Sequence, residues 1–364
     1  MHFTRIPHPS PTPDDVRTAA IADPGFGKVF TDHMVTIDYD EAAKEAGGTG
    51  WHSARIGPRE PIALDPAASV LHYAQEIFEG MKAFPHAEGG LALFRPEENA
   101  RRFNDSARRM AMPEIPEDLF LDAVELAVET DADWMPPVEG GSLYIRPFMF
   151  ASEAFLGVRP ARQYKFVVIL VSSGNYFKGG VNPVKIWVSQ DYVRAAPGGT
   201  GAAKTGGNYA ASLVPQAEAI AHGCDQVVFL DAVEKKWVEE LGGMNLFFVR
   251  KDGSVITPPL TGTILPGITR ASLVAMLRAE GLDVREEPYS IERWREEAES
   301  GALLETLACG TAAVVTPVGT VASPDGEFTI GTGGIGQMAT KMRTKLVDIQ
   351  HGREPDSHGW VMRV

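Results

Sequence analysis

The sequence has few cysteines and fewer basic than acidic residues. The 364 residues include 34 Lys and Arg against 48 Asp and Glu, so the formal net charge is −14. No basic block occurs, although binding to a nucleic-acid backbone needs clustered Lys and Arg to neutralise phosphates. We therefore expect no nucleic acid as a partner.

Two cysteines, Cys224 and Cys309, are too few for a disulfide framework in a chain of this length and suit a reducing compartment. The nine histidines form no H-E-x-x-H and the cysteines no C-x-x-C, so no metal site is expected. The sequence has no apolar run of transmembrane length, and its first residues, "MHFTRIPHPSPTPDD", lack the apolar core of a secretory signal. These absences predict a cytoplasmic protein with no membrane contact.

The chain does have enough apolar residues, 44%, to build one large or two medium domains. Strand-like and helical stretches mix without a strict βαβ rhythm, which favours two α+β domains over a doubly wound sheet. The predicted boundaries are a small domain over 1–172 with an irregular extension over 1–30, a linker over 173–183, and a large domain over 184–364. The predicted strands of the first half include "HMVTIDYD" (33–40), "VLHYA" (70–74), "LALFR" (91–95), "SLYIRPFMF" (142–150) and "KFVVILVSS" (165–173).

The segment "GGTGAAKTGG" (198–207) places Lys204 in a glycine-rich loop. It resembles a phosphate-binding P-loop, but the second required glycine is Ala203, and the preceding strand "KIWVS" ends near Ser189. A double glycine is also a poor first turn, so we expect the following helix to begin at Asn208 or Ser212. An ATP-binding loop and a plain solvated lysine remain the alternatives to a lysine that forms an imine with a cofactor.

Several segments that follow supply groups suited to a phosphorylated aromatic aldehyde. Tyr209 lies five residues after the lysine, and Glu239 and Glu240 end a strand-like run beside glycines. "LPGITR" (265–270) predicts a helix N-terminus, which attracts anions, and "ACGTAAVV" (308–315) predicts a turn of small residues. These segments therefore predict an amine that can form an imine, a phenol, a carboxylate and a phosphate-binding site.

Seven ordered blocks resemble the branched-chain-amino-acid aminotransferases of bacteria, which are fold-type IV pyridoxal-phosphate enzymes. They are "LHYAQEIFEGMKAF" (71–84), "SLYIRPFMF" (142–150), "NYFKGG" (175–180), "GGTGAAKTGGNYAAS" (198–212), "EELGGMNLFFV" (239–249), "LPGITR" (265–270) and "ACGTAAVVTPV" (308–318). The resemblance implies a smaller N-terminal α/β domain and a larger C-terminal domain, with the pyridoxal 5′-phosphate cofactor between them and a site completed across a homodimer. It also implies ping-pong transamination between L-leucine, L-isoleucine or L-valine and 2-oxoglutarate, in branched-chain amino acid biosynthesis and degradation.

The resemblance assigns cofactor roles to seven residues. Lys204 would carry the cofactor as a Schiff base and move the substrate proton, while Glu240, rather than its neighbour Glu239, would face the pyridine nitrogen. Arg102, rather than Arg101, would bind the phosphate through its guanidinium. The remaining implied contacts are Tyr209 to the ring hydroxyl, the backbone N–H groups of Ile268 and Thr269 to the phosphate, and the hydroxyl of Thr311.

The same resemblance outlines a substrate pocket. Aromatic walls would come from Tyr73, Phe78, Tyr144 and Tyr176, and such a pocket suits aliphatic side chains. Lys82 and Arg146 would lie on the polar side, where the second carboxylate of glutamate or 2-oxoglutarate is held. Thr311 and Ala312 would present N–H groups to the substrate α-carboxylate. Core packing is the alternative role for each aromatic residue.

Two departures from mammalian relatives concern this site. Those relatives carry a redox C-x-x-C where this chain has Ala313 and Thr316, so no thiol switch is expected, and Cys309 is not its equivalent. Gly243 stands where they have a threonine, which removes a hydroxyl near the substrate. A D-amino-acid aminotransferase, an aminodeoxychorismate lyase and a catalytically silent relative are the remaining hypotheses.

Overall fold

The structure, a computed structural model, describes residues 1–174 and 181–364. The six residues between them include Tyr176, the "NYFKGG" block and much of the predicted linker, which therefore lie outside the described residues. The described strands are β1 (Thr4–Arg5), β2 (Val29–Asp40), β3 (Trp51–Pro58), β4 (Glu76–Phe78), β5 (Met81–Pro85), β6 (Leu91–Phe94), β7 (Ser142–Ala151), β8 (Gln163–Ser173), β9 (Val184–Ser189), β10 (Gln226–Leu230), β11 (Val238–Leu241), β12 (Asn245–Arg250), β13 (Ser254–Thr257), β14 (Asp283–Glu286), β15 (Leu303–Gly310), β16 (Val314–Ser323), β17 (Gly326–Thr329) and β18 (Val361–Arg363).

The described helices are interspersed with these strands along the chain. They are α1 (Asp14–Ile21), α2 (Glu41–Glu45), α3 (Ser69–Tyr73), α4 (Pro96–Arg109), α5 (Glu117–Thr130), α6 (Gly206–Ala210), α7 (Leu213–Ala221), α8 (Ile268–Ala279), α9 (Ile291–Glu299) and α10 (Gln337–Gln350), with a 3-10 turn at Ala132–Trp134. None of the helices in the described ranges is both long enough and apolar enough to cross a lipid bilayer.

The described chain divides into two compact units. The first holds the residues before the undescribed gap together with the short segment 203–206 and the C-terminal segment 349–364. The second holds the residues from the gap to Ala202 and the long stretch 207–348. The division differs from the predicted boundaries in two ways, because the segments 203–206, with Lys204, and 349–364 group with the first unit although both were predicted in the large domain 184–364.

The first unit is built on one largely antiparallel sheet. Its strand order is β1-β3-β2-β8-β7-β5-β6-β18, with β4 paired to β7. Helices α4 and α5 pack on this sheet, and Phe103, Phe120 and Phe166 form an aromatic cluster with ring centroids 5.3–5.7 Å apart. Helix α4 begins with Pro96, carries acidic residues in its first turn and ends with two arginines, an arrangement that complements the helix dipole.

The second unit has its own mixed sheet. Its strand order is β11-β10-β9-β16-β15-β12-β13-β14, with β17 paired to β16. Strand β9 runs parallel to both of its neighbours, whereas β12, β15 and β16 are joined by antiparallel ladders. Phe248 stacks on Tyr289 at 3.9 Å and meets Trp294 edge-on, which fills the space between this sheet and α9. Two sheets with interspersed helices confirm the α+β class.

Two local predictions were wrong, and the stretch 1–30, which was predicted to be irregular, contains strand β1 and helix α1. Residues 70–74 were predicted as a strand, but Ser69–Tyr73 form the single-turn helix α3, which Ala74 ends in the left-handed conformation with φ 48°. The first residue of this helix is anchored by its side chain, because the Ser69 hydroxyl donates to the carbonyls of Glu153 and Phe155. The helix after Lys204 begins at Gly206 and not at Asn208 or Ser212, whereas Ser212 directly precedes α7.

Candidate functional site

Lys204 lies against strand β4 within the first unit. The Phe78 N–H donates to the Lys204 carbonyl at 2.9 Å, so the lysine segment follows the strand edge. The Lys204 amine stands over the Phe78 ring, with Nζ 4.8 Å from the ring centroid. An ammonium at this distance from an aromatic face is attracted by the ring quadrupole, which helps to aim the side chain.

A second cation, Arg146, lies over the same ring. Its guanidinium carbon is 4.7 Å from the Phe78 centroid, and Nη2 donates to the Tyr144 hydroxyl at 3.0 Å. Gly80 makes this arrangement possible, because a Cβ at that position would overlap the Tyr144 hydroxyl. The predicted residues Lys204, Phe78, Tyr144 and Arg146 are thus brought together.

Arg102 forms a buried, bidentate ion pair with Glu79. Its Nε and Nη2 atoms donate to the two carboxylate oxygens at 2.7 and 2.8 Å, and Asn99 donates to the same carboxylate at 2.7 Å. Burial acts to raise the pKa of Glu79, but the Arg102 guanidinium outweighs it and holds that pKa below its usual value. Arg101, the rival candidate, is exposed and pairs with Glu98. Phosphate binding by Arg102 stays a prediction.

The other two predicted substrate residues described in this unit, Lys82 and Tyr73, differ in burial. Lys82 is buried in β5 and lies opposite Tyr144 in the β5–β7 ladder. Tyr73 is exposed on α3, and its hydroxyl donates to the Leu156 carbonyl rather than joining the Phe78 group.

Within the second unit, Glu240 is held by three donors. Arg194 Nη1 lies 2.8 Å from Glu240 Oε1, the Leu265 N–H donates to the same oxygen at 2.8 Å, and Asn245 donates to Oε2 at 3.1 Å. Both members of the ion pair are almost fully buried, with side-chain exposures of 2% and 3%. A carboxylate so surrounded by donors suits a partner that carries a proton on a ring nitrogen.

Glu239 has a separate environment. Its Oε1 accepts the Thr263 hydroxyl at 2.5 Å, and none of the described residues donates to its buried Oε2. Burial raises the pKa of Glu239, with the Thr263 hydroxyl and Arg194 acting in the opposite direction. The two neighbouring acids therefore share strand β11 but not their direct hydrogen-bond partners, as strand alternation predicts.

Tyr209 and Gly243 lie close together in the second unit. A Cβ added to Gly243 would be 4.0 Å from the Tyr209 ring, an ordinary van der Waals distance. Asn208 anchors the start of this segment, because its amide donates to the Thr200 carbonyl at 2.8 Å and its Oδ1 accepts the Thr200 hydroxyl at 2.7 Å. The glycine loop is thus closed on itself just before Tyr209.

The predicted anion-binding site is the N-terminus of α8. Its cap, Gly267, has extended geometry and packs so closely on Asn245 that a Cβ would overlap the amide oxygen. Asn245 lies opposite Cys309 in the β12–β15 ladder, so Thr311 and Ala312 follow within three residues of that contact. The first N–H groups of a twelve-residue helix at a glycine entrance fit a phosphate. Burial raises the pKa of the Cys309 thiol to about 12, which does not suit a redox role.

Sequence reasoning missed Glu79, Arg194 and Asn245 as site residues. Glu79 could have been found as the acid within the mostly apolar "IFEGMKAF", and Arg194 as the basic residue within "YVRAAP". Neither pattern indicates a partner, because each pairs with a residue more than twenty positions away in the chain.

A model of the class IV amino-transferase family matches residues 76–321. The chain is 53% identical over 357 residues to a probable branched-chain-amino-acid aminotransferase of Streptomyces coelicolor, covering 98% of this chain and 96% of that protein. It is 50% identical over 370 residues to the branched-chain-amino-acid aminotransferase of Mycolicibacterium smegmatis, covering 100% and 98%. Among solved structures, a T.th. branched-chain amino acid aminotransferase complexed with N-(5′-phosphopyridoxyl)-L-glutamate matches with a TM-score of 0.71 and 28% identity, covering 90% and 98%.

Proposed function

Because the chain belongs to the class IV aminotransferase family, among the branched-chain-amino-acid aminotransferases, we propose that it transfers an amino group between L-leucine, L-isoleucine or L-valine and 2-oxoglutarate. Pyridoxal 5′-phosphate is its cofactor, and when bound it supplies an electron sink for the substrate carbon. The other fold-type IV activities are not favoured, since full-length relatives about half identical to this chain are branched-chain enzymes.

The observation that carries the proposal is the placement of Lys204. Its amine stands over the Phe78 ring beside Arg146, in a group that is neither a solvated surface loop nor a P-loop. An amine in this setting is suited to bind the cofactor aldehyde and then to move a proton at the substrate α-carbon. We assign both tasks to Lys204.

The remaining cofactor contacts follow from the chemistry of each group. Glu240, paired with Arg194, would accept a hydrogen bond from the protonated ring nitrogen, and Tyr209 would donate to the ring hydroxyl. The phosphate would be bound by Arg102, the first N–H groups of α8 at Ile268 and Thr269, and the hydroxyl of Thr311.

The substrate contacts are divided between apolar and polar groups. Phe78 and Tyr144 would contact an aliphatic side chain, while Arg146 and Lys82 would bind the second carboxylate of 2-oxoglutarate. Tyr73 is assigned to this pocket by resemblance alone. The N–H groups of Thr311 and Ala312 would bind the α-carboxylate, and Gly243 leaves room beside Tyr209. Tyr176 belongs to this set by resemblance alone.

We further propose a homodimer in the cytoplasm. Leu71, Tyr73, Leu156 and Val158 expose apolar side chains in the first unit, and a second copy of the chain would cover them. The scarcity of cysteine suits a reducing compartment.

The proposal is tested by the visible absorption of the purified, cofactor-loaded protein. Addition of L-leucine without a 2-oxo acid should bleach the yellow band, and subsequent 2-oxoglutarate should restore it. D-Leucine is the matched control and should leave the band unchanged. Lys204→Ala, checked for folding by circular dichroism, should abolish the cycle. A protein that binds no pyridoxal phosphate, or that responds to D-leucine alone, would overturn the assignment.

A further inference from the structure

The backbone around Lys204 is fixed on both sides by residues of the first unit. The Lys204 N–H donates to Ser106 Oγ at 2.9 Å, and the Lys204 carbonyl accepts the Phe78 N–H at 2.9 Å. The Ser106 hydroxyl in turn donates to the Arg102 carbonyl at 2.9 Å. These contacts fix the peptide groups on either side of the lysine but leave the following turn to be held by another group.

Glu76, at the start of β4, holds that following turn. Its Oε1 accepts the Gly206 N–H and the Thr205 hydroxyl, the latter at 3.3 Å. Burial raises the pKa of Glu76, while these two donors and the charge of Arg146 act in the opposite direction. A half-buried carboxylate that accepts a backbone N–H restrains the chain strongly, because charge-assisted hydrogen bonds are stronger than neutral ones.

The two glycines after the lysine differ sharply in their surroundings. A Cβ on Gly206 would lie 2.5 Å from Glu76 Oε1, whereas a Cβ on Gly207 would meet no atom of the described residues within 4 Å. Neither glycine has a positive φ. The absence of a side chain at position 206 therefore leaves room for the Glu76 carboxylate. It is not needed for an unusual backbone conformation.

We propose that Glu76 is a positioning residue for Lys204, holding the Thr205–Gly206 peptide so that the amine stays over the Phe78 ring where it reacts. The proposal rests on the proposed role of Lys204 in binding the cofactor. It adds to that role a residue of strand β4, which acts through its hydrogen bonds to Thr205 and Gly206 in the lysine segment.

The test compares Glu76→Ala, Glu76→Gln and Gly206→Ala, with Gly207→Ala as the matched control. Both glycine substitutions raise helix propensity equally, but only Gly206→Ala pushes the carboxylate away. Pyridoxal phosphate is added to the cofactor-free protein, and the rate of attachment to Lys204 is followed by visible absorption and by the mass of the borohydride-reduced peptide. The values of kcat and KM for L-leucine and the midpoint of thermal unfolding are measured on the same samples.

Glu76→Ala and Gly206→Ala should both slow attachment and lower kcat by about tenfold or more, with KM changed by less than about threefold, because misaimed reacting groups lose rate rather than affinity. Glu76→Gln should recover most of the rate, since its amide oxygen still accepts the Gly206 N–H. Gly207→Ala should match the unaltered protein. If Glu76→Ala does not fold, Gly206→Ala and Glu76→Gln carry the test.

The proposal is overturned if Gly206→Ala attaches cofactor as fast as Gly207→Ala. It is also overturned if Glu76→Ala lowers only the unfolding midpoint, since that is the result for a purely structural contact. Failure of the proposed function looks different, because the unaltered protein would then show no mass increase on the Lys204 peptide.

Discussion

Arg194 and Glu240 form an ion pair that is closed off from water, with Nη1 and Oε1 2.8 Å apart. The same guanidinium nitrogen donates to the carbonyl oxygens of Gly201 and Thr263, so Arg194 also ties the glycine loop to the segment before α8. Removing one member of a buried pair leaves the other charge without compensation. The stability of the second unit therefore depends on this arginine.

Replacement of this arginine should cost stability. Arg194→Gln should lower the free energy of unfolding of the cofactor-free protein by about 3 kcal/mol, because Glu240 stays buried without its cation. Arg194→Lys should recover part of the loss, since an ammonium keeps the charge but not the planar fork of donors. Urea unfolding followed by circular dichroism measures both. Arg285→Gln removes an exposed pair with Asp283 and should cause no measurable change, and an equal effect of the two glutamine variants would contradict the argument.

Glu79 should make the first unit acid-sensitive. Its folded pKa lies below its unfolded value, so its stabilising contribution is present above the usual glutamate pKa and is lost as the pH falls through the lower folded value. Glu79→Gln should therefore be less stable than the unaltered protein at pH 7, and the difference should shrink below about pH 4. Unfolding midpoints measured from pH 7 to about pH 3 check this, and a difference that grows towards acid would refute it.

Glu239 should destabilise the folded protein as the pH rises, which is the opposite of the effect of Glu79. Its folded pKa lies above its unfolded value, so its ionisation destabilises the folded state as the pH rises from the unfolded value to the raised folded one. Glu239→Gln keeps an acceptor for the Thr263 hydroxyl and should therefore be more stable than the unaltered protein at about pH 8. Unfolding midpoints of the two proteins measure the gain, which should disappear below the usual glutamate pKa. A variant that is less stable in alkaline buffer would show that the carboxylate is stabilised by a donor after all.

Gly80 should control recognition of the acidic substrate. In Gly80→Ala the new Cβ displaces the Tyr144 hydroxyl and breaks its hydrogen bond to Arg146. A lost hydrogen bond to a charged group should raise KM for 2-oxoglutarate by about tenfold, with a smaller effect on branched-chain 2-oxo acids. Steady-state kinetics with both substrates measure the ratio. Gly174→Ala is the control and should leave the ratio unchanged, because among the described residues its Cβ would make ordinary contacts at 3.9–4.0 Å.

Most of the fold could be predicted from local patterns. Strands such as β8 and helices such as α5 are long and periodic, so their apolar spacing identifies them without tertiary information. Short elements were less predictable. Helix α3 looks like a strand because five residues carry no resolvable period. Helix α6 begins at Gly206, whose N–H is accepted by Glu76, 130 residues earlier in the chain.

The candidate site likewise contains residues that could be predicted from the sequence and residues that could not. The roles of Lys204, Arg102, Tyr209 and Glu240 were predicted because their segments resemble those of a known family. Their partners could not be named, since Glu79, Glu76 and Arg194 are ordinary charged residues until folding buries them beside a particular group. Local residue types and their spacing thus determine which chemistry the chain can perform. Burial and long-range pairing determine which side chains are charged and how they are oriented. The reason is that the energy of a charge depends on its neighbours, which only the tertiary structure supplies.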